Sequence, residues 1–338
     1  MGAFVLRRLF QLLLVIWGGA TLLFFLVFAL PNKPAEILAG GANKNPDPQV
    51  VKNVAKNYGL DQPIVVQYGR YMANLAKGDF GQAYRTTTIH GDKSVNAIIR
   101  ERAPRSLRLA FWAITIEVVI GIAAGVLSAR RRNSVADSLT TVSAVVASAI
   151  PVFVLGYLLK QLTGVYAFDH HWPAWATFPG LGFGPDKWYL GIIPGASQLK
   201  PLLQPAIVLA AVSTAVLTRI TRTTLLETNR MDHVRTARAK GLSEKQVVRR
   251  HVLRNAMIPV VTVIGLDFGT AAGAAILTET VFNIDGLGST IVSAANNVDL
   301  PAVLGLSVTV MVIFGVANLM VDLSYAVLDP RVRLGGAK

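Results

Sequence analysis

Three carboxylates, Glu117, Asp267 and Glu279, stand inside or at the end of runs that are otherwise strongly apolar. Burying a charge in such a run is costly, so an acid retained there either lines a polar path or makes an interhelical hydrogen bond. A fourth acid, Asp322, lies near the end of the last run, where an interhelical hydrogen bond or an end that reaches water would satisfy it. Other chemistry-bearing patterns are weaker. "DHHW" at 169–172 sets two His beside Asp169, but adjacent side chains on a strand point to opposite faces, so a metal chelate is awkward and an interfacial loop explains the stretch. The chain has no Cys, which removes thiol catalysis, disulfides and Cys-ligated metals. No G-x-x-x-x-G-K-[ST] occurs, and "HGDKS" at 90–94 has the wrong order for a phosphate cradle, so nucleotide hydrolysis is not expected in this chain. "DFG" at 79–81 lacks its partner motifs. "GLGFG" at 180–184 neither follows a strand nor opens a helix. No catalytic residue and no metal site is expected.

The elements that must position these acids are membrane spans. Of 338 residues 52% are hydrophobic and only 15% charged, against about 25% in average globular domains. The apolar residues gather in blocks of about 20, the length that crosses a bilayer as a helix. Six runs are expected to span, at 9–30, 107–127, 139–159, about 202–217, 258–277 and 303–328. The first is too long for a signal-peptide core and ends in no Ala-x-Ala site, so it reads as an uncleaved span. An even number puts both termini on one side. Lys and Arg in short loops mark the cytoplasmic face. Arg7 and Arg8, Arg130 to Arg132, the segment between the fourth and fifth runs, and Arg331, Arg333 and Lys338 all fall on that face, while 281–300 holds no Lys or Arg. The chain thus divides into a first span at 1–30, an extracytoplasmic cap at 31–104 and a five-helix core at 105–338. Two helices are expected in the cap, about 47–58 and 63–77, punctuated by Gly59 and Gly78. The 164–200 loop, rich in Gly, Pro and Trp, suits a membrane–water interface.

The net charge of +14 has a focus in "VRTARAKGLSEKQVVRRHVLRNAMIP", 234–259, where seven Lys or Arg face one acid, Glu244. Gly241 is placed to stop a short helix over about 233–240 in the left-handed conformation. Ser243 offers an N-cap, Gln246 completes a capping box, and Leu242 with Val247 holds the staple positions. The segment therefore encodes helix, tight turn, helix. Three readings compete. A plain cytoplasmic loop explains the charge and not the caps. A DNA-reading helix-turn-helix has this look, but about 30 residues between spans leave no room for its supporting domain. The third reading is a helix pair presented to a soluble protein.

The segment resembles the cytoplasmic coupling loop of bacterial ABC importer permeases. Aligned on Gly241, Ala237 and Leu253 also match that loop's pattern, while Arg235 and Thr236 replace its Glu and first Ala, and its Ile and Pro are absent. "RTARAKGLSE" with "RHVLRNA" is similar to the variant of the peptide/nickel branch. "GDFGQAY", "ERAPRSLRLA", "ETVFNIDGLGSTIVSAANNVDLPAVLG" and "VDLSYAVLDPRVR" follow in that branch's order, so the likeness covers nearly the whole chain, most closely the first permease subunit of dipeptide or oligopeptide importers.

The resemblance implies an all-α polytopic protein of the type I importer permease fold in the bacterial cytoplasmic membrane. It implies a second, homologous permease subunit, two cytoplasmic ATPase subunits that carry the ATP and Mg, and an extracytoplasmic binding protein that delivers peptide. The chain itself needs no cofactor. Its coupling loop, 227–256, would present Arg235, Thr236, Ala237, Arg238, Ala239, Lys240, Gly241, Leu242 and Ser243 to an ATPase. Asp267, Glu279 and Glu117 are candidates for the translocation path. Nickel chelates and glutathione are alternative cargoes. An intramembrane enzyme, which needs clustered catalytic groups, and a membrane-anchored receptor are alternative classes. Membrane lipid is an expected neighbour; nucleic acid is not.

Overall fold

The computed structural model describes residues 2–29, 33–40, 46–173, 176–178 and 196–328, without the side chains of 2–4, 196–200, 268–274 and 324–328. The described residues are helical apart from turns and one isolated antiparallel bridge between Gln82 and Ser94. Two compact units form, Met1–Ser106 with Asp285–Lys338, and Leu107–Ile284.

In the first unit α1 (Gly2–Phe24), extended by a π-helical turn Phe25–Ala29, packs along α14 (Leu300–Leu328). Arg8 pairs with Asp322 at 3.1 Å between them. Three helices follow, α2 (Pro34–Gly40), α3 (Pro48–Tyr58) and α4 (Ile64–Ala76). Asp47 starts α3 by accepting the Gln49 N–H at 2.8 Å ahead of Pro48, and Gly59 ends it at φ +64°. That is the start and stop chemistry the sequence carries. Helix α4 seats on α1 through rings. Phe24 stacks on Tyr71 at 5.2 Å, and the Thr21 hydroxyl meets the Tyr68 hydroxyl at 2.8 Å. Burial pushes the Tyr71 phenol up from its ordinary range.

The first turns of α5 (Val95–Arg130) also belong to this unit. Val95 and Ile98 bury against Ala83, Leu287, Ala302 and Leu306, with Leu287 coming from α13 (Leu287–Asn296). Arg102 and Arg105 are nearly buried, and both engage the Asp285 carboxylate. Arg105 also donates to the Asp285 carbonyl at 2.9 Å, and the Leu287 N–H donates to Ser106 Oγ at 2.8 Å.

The second unit holds the rest of α5, α6 (Val135–Ala149), α7 (Val152–Lys160) running through a π-helical turn Gln161–Tyr166 into α8 (Ala167–Asp169), and α9 (Ala196–Thr228). It continues through α10 (Asp232–Ala239), α11 (Glu244–Val247), a π-helical turn Val248–Val252 and α12 (Leu253–Val281). Its core joins Leu109, Leu202, Ala206, Leu209, Phe282 and Ile284. Asp137, 5% exposed, anchors the start of α6. It accepts Arg222 Nε and Nη2 at 2.7 and 2.8 Å, the Asn133 N–H at 2.9 Å and the Ser128 hydroxyl. A bidentate guanidinium with two further donors is how a buried carboxylate is satisfied.

Among the described residues four helices are long and apolar enough to cross a membrane, at Val5–Ala29, Val95–Arg130, Pro201–Thr228 and Leu300–Leu323. The expected single span at 139–159 is instead broken: Val135–Ala149 and Val152–Asp169 meet at 101°. Pro151 supplies no N–H, and it drives Ile150 to extended geometry at φ −91°, ψ 124°. Counted as one, the bent pair makes five candidates. The run expected at 258–277 lies within α12. The expected 164–200 loop begins later than the sequence implied, because helical structure persists to Asp169, and α9 begins at Ala196 rather than near 202.

Candidate functional site

The basic segment folds as a helix, a tight turn and a second helix. Helix α10 runs Asp232–Ala239 with Lys240 as its cap. Gly241 follows at φ +79°, its N–H donating to the Arg238 carbonyl at 2.9 Å. Side-chain-bearing residues rarely adopt that backbone. The Ser243 N–H then donates to Gln246 Oε1 at 3.2 Å, and the Ser243 hydroxyl donates to the same oxygen at 3.0 Å. The Gln limb of the capping box is therefore present. The expected staple is not: Leu242 is exposed, whereas Val247 is fully buried beside Val234, Ala237, Val252, Ala256 and Leu225. The inner face of α10 claims Val247, so nothing draws Leu242 inward.

Val234 and Ala237, three residues apart, are the inner face of α10. Arg235, Thr236, Arg238, Ala239 and Lys240 stand outward, as do Gly241, Leu242 and Ser243. Arg238 spans the turn and donates to both Glu244 oxygens at 2.8 and 3.1 Å and to Asn229 Oδ1 at 2.7 Å. The bonds from Arg238 hold the Glu244 carboxyl below its ordinary range, and those to Glu244 raise the guanidinium. Beyond the turn, Asn255 Nδ2 lies 3.2 Å from His233 Nε2 and donates to the His251 carbonyl at 2.9 Å. So α10 is tied forward to α12, and α11 reaches α12 without leaving helical geometry. The outward face offers the cationic side chains of Arg235, Arg238 and Lys240 beside small and hydroxyl-bearing ones.

Of the acids singled out from the sequence, the fold brings two together. Glu117, 3% exposed on α5, shares a side-chain hydrogen bond with Asp267 on α12. Glu279, 1% exposed, lies twelve residues further along α12, about 18 Å by helical rise. Asp322 is held by Arg8 instead. The other patterns have local structural roles. Asp79 of "DFG" closes its own turn by accepting the Gly81 N–H at 2.9 Å. His170 stacks on Tyr166 at 3.8 Å. Among the described residues no group of three or more His, Cys, Asp or Glu is placed to hold a metal. "GLGFG" lies outside the described residues. Sequence reasoning overlooked the Asp137–Arg222 anchor, although Ser134-x-x-Asp137 has the spacing of a helix start. It also overlooked Asp299, described below.

A helical chain with four to five membrane-crossing candidates and a capped helix pair between α9 and α12 defines a polytopic membrane protein with a presented inter-span element. The chain belongs to the family of binding-protein-dependent transport system inner membrane components, whose model matches residues 121–334, and the N-terminal model of the same systems matches 1–110. It is 34% identical to the dipeptide transport system permease protein of Alkalihalophilus pseudofirmus, over 98% of this chain and 99% of that one. A probable peptide ABC transporter permease protein of Sinorhizobium fredii is 31% identical, over 98% and 100%. The glutathione transport system permease protein of Escherichia coli K12 is 35% identical, over 98% of each. The chain is therefore a permease component of an ABC transporter and a multi-pass membrane protein. It is not itself an enzyme; ATP hydrolysis belongs to other subunits of such systems.

Proposed function

We propose that this chain pairs with a second, homologous permease to form the translocation path of a peptide importer. Six spans, α1, α5, the bent α6–α7 pair, α9, α12 and α14, cross the bacterial cytoplasmic membrane, with both termini inside and residues 31–104 outside as a cap. Two cytoplasmic ATPase subunits bind ATP and Mg and dock on the permeases, one of them on α10 and the turn at Gly241; this chain carries no cofactor of its own. A binding protein delivers cargo from outside. The dipeptide, peptide and glutathione permeases among the relatives support peptide cargo, since glutathione is itself a short peptide.

The observation that carries the coupling role is the turn itself. A helix pair held by Gly241, Gln246 and the Arg238–Glu244 bridge, and continued into α12, transmits a push that a loose loop would dissipate. Gly241→Val is expected to leave the complex assembled and to uncouple ATP hydrolysis from uptake, because a β-branched side chain is strained at positive φ by about 1–2 kcal/mol. Reconstituted complexes assayed for both activities decide it, and wild-type coupling in the variant defeats the assignment. Asp267→Ala is expected to lower uptake without lowering the amount of protein in the membrane; unchanged uptake removes Asp267 from the path. Affinity purification of the tagged chain from its native membrane identifies the partners, and ligands carried by a co-purifying binding protein name the cargo.

A further inference from the structure

Residues 82–94 fold back on themselves as a finger. The Ala83 N–H donates to the Lys93 carbonyl at 2.8 Å, and the Thr88 N–H to the Asp92 carbonyl at 2.9 Å. Gly91 makes the turn at φ +81°. Asp92 Oδ1 accepts the Ser94 N–H at 2.8 Å, and Glu101 on α5 accepts the Ile89 N–H at 3.1 Å. The base of the finger is clamped by a carboxylate far away in sequence. Asp299, fully buried at the start of α14, accepts the backbone N–H groups of Tyr84, Arg85 and Thr86 at 2.9, 2.7 and 2.6 Å. The Arg85 guanidinium bonds the carbonyls of Asn297 and Leu38. The Lys93 ammonium donates to the Tyr84 carbonyl at 2.9 Å and lies 5.9 Å from the Tyr84 ring.

Ten hydrogen bonds, three of them to the buried Asp299 carboxylate, thus hold still a loop whose tip leaves Ile89 and His90 outside the core. Ile89 at that tip is 53% exposed, and His90 beside it is exposed. An apolar side chain held exposed at the end of a rigid loop is the arrangement of a docking element, because ordering costs are already met before the partner arrives. The charge specifies the partner. The finger's own Arg85 and Lys93 are engaged by backbone carbonyls and are matched by Asp92, Glu101 and Asp299, but residues 31–104 as a whole carry ten Lys or Arg against six Asp or Glu, a positive excess around it.

We infer that this finger is a docking site for the extracytoplasmic binding protein, which meets it with an acidic rim around a small apolar recess for Ile89. The inference rests on the proposed outward placement of residues 31–104, and the experiment separates the two. The chain has no cysteine, so His90→Cys gives it a single thiol. The assembled transporter is labelled on intact spheroplasts with a membrane-impermeant maleimide, with and without added binding protein, and the mass shift of this chain is followed. Labelling from outside that slows about tenfold with the binding protein is expected, as for a side chain entering a water-excluded interface. Val65→Cys on α4, at a position 76% exposed, is the control and stays reactive. Labelling from outside that the binding protein does not slow, while it still stimulates ATP hydrolysis, overturns the docking site and leaves the topology standing. Labelling only after the membrane is opened overturns the topology and with it the inference. Protection by anionic-lipid nanodiscs without binding protein assigns the finger to headgroups and also overturns it. As a second measurement, Ile89→Asp is expected to weaken binding-protein affinity about tenfold while Ile89→Leu retains it, consistent with an apolar anchor; equal affinity in both sinks the anchor.

Discussion

The finger at 82–94 and the turn at 239–246 solve one problem in opposite ways. Each must present a short loop in a fixed orientation from the end of a long helix. At the finger the clamp is a carboxylate sealed from water by the amides it binds. At the turn it is an ion pair standing in solvent, Arg238 with Glu244. A hydrogen bond to a buried charge contributes about 1.5–3 kcal/mol, whereas exposed ion pairs contribute little and are screened by salt. The finger is therefore locked. The turn is held by its glycine and its buried inner face, with the ion pair as a trim.

The largest effect should come from Asp299→Ala. Three amides lose their acceptor and α14 loses its N-cap, a cost on the order of 3–5 kcal/mol. Thermal unfolding of the purified complex and amide exchange at residues 84–86 measure it; protection that survives the substitution means the clamp is not what holds the finger. Gly305→Val on α14 comes next. A Cβ there meets the Phe80 carbonyl oxygen at 2.7 Å and Val95 Cγ1 at 2.8 Å, so a backbone segment must move, at about 1–3 kcal/mol. A lowered unfolding temperature with faster exchange at the finger amides and unchanged exchange at the turn would sharpen the contrast, since Gly241→Val should do the reverse, altering coupling and exchange at 239–246 alone. The smallest effect is one of pH. Because its folded-state carboxyl is depressed, Glu244 supports the turn above its ordinary range near about pH 4.3, and that support is lost as pH falls through the lowered value. Exchange at residues 242–246 should rise on acidification through that window, and Glu244→Gln should abolish the dependence. A matching rise at 84–86 would erase the distinction between the two clamps.

What was legible in the sequence is what short-range chemistry controls. The expected cap helices at 47–58 and 63–77 stand at Pro48–Tyr58 and Ile64–Ala76, because Asp47, Pro48 and Gly59 act on residues within a turn of themselves. The bend at Gly241 was legible for the same reason. The break at Pro151 was also written locally, yet the apolar run around it reads as one span, since hydropathy reports where a residue prefers to lie and not its direction. The clamps were not legible. Asp299 meets partners more than 210 residues away, and Asp137 meets Arg222 85 residues on. The pairing of Glu117 with Asp267 likewise depends on which helices pack together. No spacing rule encodes such meetings.

The continuity of α11, the π-helical turn and α12 has a mechanical consequence. Helix α12 holds 29 residues from Leu253 to Val281, so it is a rod about 43 Å long. Rocking such a rod by about 10° around the end nearest Gly241 sweeps its far end through roughly 7.5 Å, at about 1.5 Å of rise per residue. Glu279 rides close to that far end, and Asp267 near mid-length moves about half as far. A small rotation at the turn thus becomes a large displacement along α12, and the gain comes from length alone.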